Sequence, residues 1–238
     1  MHFYRSPRPI KAMTFDLDDT LYDNWPVIAR VEKKMAEWLF QHHPVSSSIS
    51  LQEWAQVKQK VAKLNPDLMH DVTAWRHAQI KTGLIELGYT EPQAEQAAVD
   101  GIQRALFLRN QVDVPAESLR VLAELGKKIP LIAITNGNVD PNKIGLGEYF
   151  QLILKAGPDG RAKPYPDMFV QAQQHLNVEA DEILHVGDHL ITDVQGAKQN
   201  GFQACWFNDG KLNLFQQPKA RVLPDLEIHL ISELLEIL

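Results

Sequence analysis

A short apolar run that ends in acidic residues decides how this chain folds: Ala12-Met13-Thr14-Phe15-Asp16-Leu17-Asp18-Asp19-Thr20. Residues 12–17 predict a buried strand, and the carboxylates Asp16 and Asp18 lie at its end. The ends of parallel strands deliver side chains to the mouth of an α/β sheet, where such folds build their active sites. Two acids at this point, with a basic residue and another acidic pair downstream, favour phosphoryl chemistry on Mg²⁺.

Beyond residue 114, predicted strands alternate with predicted helices. The strands are Ile129–Thr135, Ile153-Leu154, Ile183–Gly187 and Gln203–Phe207, and the helices are Ala116–Leu125, Pro166–Leu176 and Ile191–Gln199. This alternation predicts an α/β fold, a Rossmann-like doubly wound parallel sheet.

Residues 22–114 show helical spacing and no convincing strand. Four helices are predicted. The first begins at Pro26 and the second follows the capping box of Ser50 and Glu53. The third runs from Val72 to Leu87 and the fourth from Thr90 to Arg109. An insertion of this length exceeds an ordinary connection. We therefore expect an α/β core domain from residues 1–21 and 115–238, and a helical cap domain from residues 22–114.

Composition narrows the possible partners. The net charge is −6 over 238 residues, whereas proteins that bind nucleic acid through phosphate contacts normally present a basic face. No stretch approaches the roughly 20 apolar residues of a membrane span, and the first hydrophobic stretch ends in the acidic motif instead of forming a signal peptide. The single cysteine, Cys205, cannot form an internal disulfide. We expect a cytoplasmic protein that binds a small molecule, not nucleic acid or a membrane; one sequence does not give its oligomeric state.

Three more segments place polar groups at strand ends or on nearby loops. They are Thr135-Asn136-Gly137 after the second strand of the core, Lys163 before Pro164, and Asp188 after the strand Ile183–Gly187, with Asp193 five residues later. Each segment alone is common. Their order and their placement at strand ends together indicate one site.

With these motifs in this order, the chain resembles the haloacid dehalogenase (HAD) superfamily of phosphatases over nearly its whole length. The resemblance implies a Rossmann-like core with a helical cap, and Mg²⁺-dependent hydrolysis of small-molecule phosphate monoesters. Asp16 would attack phosphorus to give an aspartyl-phosphate, and Asp18 would protonate the leaving alkoxide and then activate water.

The same resemblance implies how the other residues act. Asp16, Asp188 and the backbone carbonyl of Asp18 would hold the metal, Mg²⁺ or Mn²⁺, and Asp193 would orient Lys163 or a metal-bound water. Lys163 and Thr135, together with backbone amides near Asn136 and Gly137, would hold the transferring phosphoryl oxygens.

Within the family, the chain resembles the bacterial phosphatases of riboflavin metabolism. This likeness lies in the first motif, in His70–Thr73 with Trp75 and Arg76, in Ala156–Pro158 and in the last motif. It implies 5-amino-6-(5-phospho-D-ribitylamino)uracil and flavin mononucleotide as substrates, with Trp25 and Arg76 among the residues that contact them.

Three alternatives remain open at this point. They are a broad-specificity phosphatase of sugar phosphates or nucleotides, a β-phosphoglucomutase-like phosphotransferase, and a non-catalytic scaffold. A haloalkanoic dehalogenase needs neither the acid at Asp18 nor a metal ligand at Asp188, so those residues count against it.

Overall fold

The computed structural model describes residues 1–210, 212–218 and 220–238. The described chain divides into two compact units. The sheet unit comprises Met1–Asp23 and Asp113–Leu238, and the helical unit comprises Asn24–Val112.

The sheet unit is built on one mixed sheet. Its described strands are β1 (His2–Phe3), β2 (Ala12–Phe15), β3 (Leu131–Thr135), β4 (Leu152–Lys155), β5 (Ile183–Gly187), β6 (Gln203–Phe207) and β7 (Leu226–Ile228). Their spatial order is β1-β7-β6-β5-β2-β3-β4, with β2 to β7 in parallel pairs and β1 antiparallel to β7. The predicted α/β fold class is confirmed.

The acidic motif follows a strand in the middle of the sheet. Strand β2 lies between β3 and β5, and Phe15 pairs in register with Ala133 on one side and Val186 on the other. All residues of these three strands are buried, as expected for parallel strands covered on both faces. The carboxyl ends of β2, β3 and β5 therefore meet at one edge of the sheet.

Helices pack on this sheet and complete its core. The described α-helices of the sheet unit are α5 (Ala116–Gly126), α6 (Asp167–Leu176) and α7 (Gly196–Gln199). Met168, Phe169 and Ala172 of α6 join a buried apolar cluster with Phe202 and Trp206.

Besides shifts of one or two residues at strand ends, such as the end of β2 at Phe15 instead of residue 17, the sequence prediction differs from the structure in two larger ways. Strands β1 and β7 were not predicted, because two and three residues carry too little pattern to reveal a strand. The helix predicted over Ile191–Gln199 is instead a turn of π-helix, Leu190–Gln195, which continues into α7.

The helical unit has its own apolar core. Its α-helices are α1 (Trp25–His42), α2 (Leu51–Leu64), α3 (Val72–Glu86) and α4 (Glu91–Arg109). The predicted capping box of Ser50 and Glu53 is present at the start of α2. A Cβ on Gly83 would lie 2.1 Å from the Trp54 ring, so only glycine lets α3 approach α2 this closely. Within the described part of the chain, no helix is both long and apolar enough to span a membrane.

Candidate active site

A buried lysine between two aspartates forms the centre of the candidate site. Lys163 Nζ lies 2.7 Å from Asp16 Oδ1 and 2.6 Å from Asp193 Oδ1. The Lys163 and Asp193 side chains are each 1% exposed, and that of Asp16 is 11% exposed. The three groups thus form one desolvated ion-pair set, although they are far apart in the sequence.

Strand β3 fixes the loop that carries the lysine. The Lys163 backbone N–H donates to Asn136 Oδ1 at 2.7 Å, and Asn136 Nδ2 donates to the Lys163 carbonyl at 3.0 Å. Asn136 directly follows β3. This reciprocal pair of hydrogen bonds holds Lys163 beside the end of β2 and explains the position of Asn136 without a substrate contact.

Thr135 is equally engaged in the turn. Its buried hydroxyl accepts the Gly137 N–H at 3.0 Å. That amide, predicted to face a phosphoryl oxygen, therefore has a protein acceptor in this structure. The Thr135 hydroxyl keeps its own proton, which it can still donate.

Asp188 follows β5 and is tied to the acidic motif. Thr20 Oγ1 accepts the Asp188 N–H at 3.1 Å and donates to Asp188 Oδ1 at 3.3 Å. Trp206 Nε1 donates to the Asp188 carbonyl at 2.7 Å. The carboxylate is therefore held by contacts to both its backbone and its side chain, which is how ligating carboxylates are usually oriented.

Asp193 is fully occupied by donors. Besides Lys163, His185 Nε2 lies 3.3 Å from Asp193 Oδ1, and the His189 N–H donates to Oδ2 at 2.9 Å. A Cβ on Gly187 would lie 2.4 Å from Asp193 Cγ, so glycine is required there. Both oxygens of Asp193 therefore already accept hydrogen bonds, and Oδ1 contacts Lys163 Nζ.

Burial and charge set the protonation of these groups. Burial raises the pKa of Asp16 well above its usual value, although the Lys163 charge acts in the opposite direction. Burial, followed by the charge of Asp193, raises the pKa of Asp188 to about 7. Burial would also raise the pKa of Asp193, but the Lys163 charge holds it well below its usual value. Asp193 is thus the firmly ionised partner of Lys163.

The same acids have the donor set of a divalent-metal site. One carboxylate oxygen from each of Asp16, Asp188 and Asp193 lies within 4.8 Å of the other two. Hard oxygen ligands of this kind suit Mg²⁺, which keeps several waters and takes one or two carboxylates. A bound cation would also favour the ionised forms of Asp16 and Asp188, whose pKa values are raised without it. The residues present therefore fit the expected metal.

The Asp18 side chain is not among these three carboxylates, although its charge contributes to raising the pKa of Asp16. Tyr22 Oη donates to Asp18 Oδ1 at 2.5 Å, and Tyr22 is buried. Asp19, between them, adopts a left-handed backbone conformation (φ 59°) that turns the chain after β2. Sequence reasoning did not identify Tyr22 as an orienting group; an aromatic residue four positions after the acid was the available signal.

The two predicted substrate contacts of the helical unit lie on different helices. Trp25 begins α1 and is 75% exposed. Arg76 lies on α3, and burial, only partly offset by Glu32, lowers its pKa. Among the described residues, no carboxylate forms an ion pair with Arg76: Asp71 caps α3 through the Thr73 and Ala74 N–H groups, and Glu86 pairs with Lys60.

Trp75 is held within the helical unit. Its Nε1–H donates to the Lys58 carbonyl at 2.8 Å, and Lys58 Nζ lies 4.5 Å from the ring centroid. This geometry favours a packing role for Trp75. Lys58 lies near Arg76. Burial lowers the pKa of Lys58, and the Arg76 charge lowers it further.

Comparison with known proteins finds a matching family and several similar hydrolases. Residues 10–201 match the family model of haloacid dehalogenase-like hydrolases. The chain is 43% identical, over 98% of both chains, to the 5-amino-6-(5-phospho-D-ribitylamino)uracil phosphatase YigB of Escherichia coli (strain K12). It is 27% identical to the glyceraldehyde 3-phosphate phosphatase of Pyrococcus abyssi, over 85% of this chain and 83% of that one.

A solved structure extends the likeness to three dimensions. The crystal structure of a 2-haloacid dehalogenase from Pseudomonas syringae pv. Tomato DC3000 matches with a TM-score of 0.89 and 35% identity. The match covers 96% of this chain and 97% of that chain.

Proposed function

Because the chain belongs to the haloacid dehalogenase-like hydrolase family, we propose that it is a phosphatase of riboflavin biosynthesis. Its substrates are then 5-amino-6-(5-phospho-D-ribitylamino)uracil, on which the Escherichia coli relative acts, and flavin mononucleotide. The observation that carries the proposed chemistry is the buried arrangement of Asp16, Lys163 and Asp193.

Asp16 is the proposed nucleophile. Its carboxylate attacks phosphorus in line and forms an aspartyl-phosphate, which divides one difficult hydrolysis into two easier steps. Lys163 Nζ, 2.7 Å from Asp16 Oδ1, is placed to neutralise charge on the oxygens of the transferring group. Asp193 keeps the lysine charged and aimed at that point.

Asp18 is the proposed general acid and base. The hydrogen bond from Tyr22 to Oδ1 orients the side chain, which donates a proton to the leaving alkoxide. The Asp18 carboxylate then removes a proton from the water that attacks the aspartyl-phosphate, so Asp18 returns to its starting state.

The proposed ligands of Mg²⁺ are Asp16, Asp188 and the Asp18 carbonyl. Asp193 would orient Lys163 or a metal-bound water. When bound, the metal neutralises part of the negative charge of the phosphate and of the nucleophile. Thr20, which hydrogen-bonds both the backbone and the side chain of Asp188, orients that carboxylate.

The leaving group is the proposed ligand of Arg76 and Trp25. Arg76 lies close to Lys58, and no carboxylate of residues 1–210, 212–218 and 220–238 is in ion-pair contact with it. A desolvated guanidinium gains most from carbonyl or anionic acceptors. The carbonyl groups of a pyrimidinedione or flavin ring provide such acceptors. The exposed Trp25 ring offers an aromatic surface for the same rings.

The first experiment measures phosphate release from a substrate panel. The panel contains the two proposed substrates, hexose phosphates, nucleotides and p-nitrophenyl phosphate, with 2-chloropropionate tested for chloride release. Strong Mg²⁺-dependent preference for the proposed substrates, lost with EDTA and in Asp16→Asn, is the expected result. Even, low release across the panel would favour the broad-specificity phosphatase, and phosphate returned to a sugar would favour the mutase.

A pair of variants tests the leaving-group contact separately. Arg76→Met removes the guanidinium and should raise KM for the two proposed substrates about tenfold, the effect of losing roughly 1.4 kcal/mol of binding. KM for p-nitrophenyl phosphate should stay unchanged. Lys33→Met, an exposed cation on α1, is the matched control. Equal KM values for Arg76→Met and wild type on every ester would remove Arg76 from the proposal.

A further inference from the structure

Behind the ion-pair set lies a second line of polar groups in the sheet interior. His185, on β5, is fully buried, and Thr14 faces it across the register of β2 and β5. Thr14 Oγ1 lies 2.8 Å from His185 Nδ1, and His185 Nε2 lies 3.3 Å from Asp193 Oδ1. The sequence alone favours a core histidine here, but the ring points at the carboxylate that holds Lys163.

The direction of these hydrogen bonds follows from the chemistry of the partners. An ionised carboxylate can only accept, so the proton between His185 and Asp193 belongs to Nε2. In the neutral ring Nδ1 is then an acceptor, and it takes the hydrogen of the Thr14 hydroxyl. The chain of donors therefore runs from Thr14 through His185 to Asp193 Oδ1, the same oxygen that accepts from Lys163 Nζ.

We infer that Thr14 and His185 are positioning residues for phosphoryl transfer, which fix Asp193 Oδ1 and thereby aim Lys163 at Asp16. Neither residue contacts the reacting atoms. Phe169 packs edge-on to the imidazole at 5.2 Å between centroids and limits its rotation. The arrangement gives Asp193 Oδ1 two donors, so its position is fixed by His185 as well as by Lys163.

Packing alone does not account for this pair. Apolar residues fill the other positions of β2 and most of those of β5, and two facing polar side chains in such a sheet need each other to be satisfied. An apolar pair would fill the same space without that requirement. What Thr14 and His185 add is one directed N–H at Asp193.

The kinetic test compares variants that keep or remove this donor. His185→Leu fills the position with an apolar side chain and removes the N–H. His185→Gln places an amide N–H at about the position of Nε2. We expect kcat to fall about 10–100-fold in His185→Leu, with a much smaller change in KM, as for other groups that orient a functional side chain. His185→Gln should recover most of the loss. Cys205→Ala, a buried change on β6, controls for core destabilisation and should keep kcat near wild type.

Two results would overturn the inference. One is wild-type kcat in a folded His185→Leu protein. The other is an equal loss of kcat in His185→Gln and His185→Leu at matched thermal stability, because a packing role predicts no recovery by the amide.

A second measurement needs neither turnover nor metal. Nitrogen-15 NMR of histidine-labelled protein reports which ring nitrogen of His185 carries the proton. The expected tautomer has Nε2–H, with Nδ1 unprotonated, and Thr14→Val should weaken that preference while Thr14→Ser keeps it. A ring protonated only at Nδ1 would refute the proposed direction even if His185→Leu fails to fold. The kinetic arm rests on the proposed phosphatase activity; absence of phosphate release in wild type would refute that activity and leave the NMR arm intact.

Discussion

Replacing Lys163 with methionine should destabilise the sheet unit, because the lysine is the cation shared by two buried carboxylates. Its Nζ lies 2.7 Å from Asp16 Oδ1 and 2.6 Å from Asp193 Oδ1, and its side chain is 1% exposed. At an effective dielectric constant of about 20, each contact is worth about 6 kcal/mol of Coulomb energy before desolvation is subtracted. Removing one partner of such a buried pair usually costs roughly 3–5 kcal/mol, since the remaining charge loses its compensation.

The size of this loss should depend on pH. Without Lys163, Asp16 loses the cation that lowers its pKa, and burial then raises that pKa further above the unfolded value. A carboxyl group whose folded pKa is raised binds its proton in the folded state over a pH range in which the unfolded chain has released it. That stabilisation is lost as pH rises through the folded pKa. The deficit of Lys163→Met relative to wild type should therefore be larger at pH 8 than at pH 5.5.

A double-mutant cycle measures the coupling directly. Lys163→Met, Asp193→Asn and the double variant are unfolded in urea with EDTA, followed by near-ultraviolet circular dichroism and by amide exchange in β2 and β5. The double variant should be at least about 2 kcal/mol more stable than the sum of the single effects predicts, because it no longer contains the unpaired Asp193 charge. The exposed pair Lys127 and Glu124 on the same unit is the control and should show no measurable coupling.

Additive single effects, within about 0.5 kcal/mol, would refute the view that the two groups act as a buried pair. So would a deficit of Lys163→Met that stays constant with pH, because it would mean that Asp16 keeps its ionisation without the lysine.

Three further results follow from the site. Asp16→Asn should abolish phosphate release, whereas Mg²⁺ should still raise the melting temperature of the variant, which separates loss of the nucleophile from loss of metal binding. A variant that neither releases phosphate nor is stabilised by Mg²⁺ would contradict this prediction. The apparent Kd for Mg²⁺ should rise at least about tenfold per pH unit below about 7, because the metal must displace the proton of Asp188, whose pKa is raised to about 7, and the pKa of Asp16 is raised as well. Calorimetry at pH 5.5 to 8 would show this, with Asp188→Asn as the control, and a flat profile would contradict it. Thr20→Val should weaken Mg²⁺ binding about 10–100-fold by freeing the Asp188 carboxylate, and Thr20→Ser should not.

The placement of the acids in the candidate site could be predicted because strand ends carry them. Asp16 and Asp188 each follow a buried apolar run, and parallel strands bring such ends together. The predicted proximity of Lys163 and Asp193 is present as a 2.6 Å ion pair.

Other parts of the site depend on contacts that a sequence pattern does not encode. The pairing of Thr14 with His185 requires the register of β2 against β5, which hydrophobic periodicity leaves undetermined. The use of the Gly137 N–H by Thr135 depends on the shape of one turn. The roles of Trp25 and Arg76 stay predictions, because an exposed ring and a desolvated guanidinium favour a ligand without identifying it.

The net negative charge of the candidate site also explains why the site would need a bound cation. Fully ionised Asp16, Asp188 and Asp193 carry three negative charges against the single positive charge of Lys163, so the set would repel a phosphate dianion. Without a further cation, the raised pKa values of Asp16 and Asp188 relieve that repulsion by protonation, and a protonated Asp16 is a poor nucleophile. A divalent cation held by Asp16 and Asp188 would bring the sum to zero and would keep Asp16, the proposed nucleophile, ionised. Substrate affinity and nucleophile activation are therefore coupled through the same charge balance, which favours metal binding before substrate.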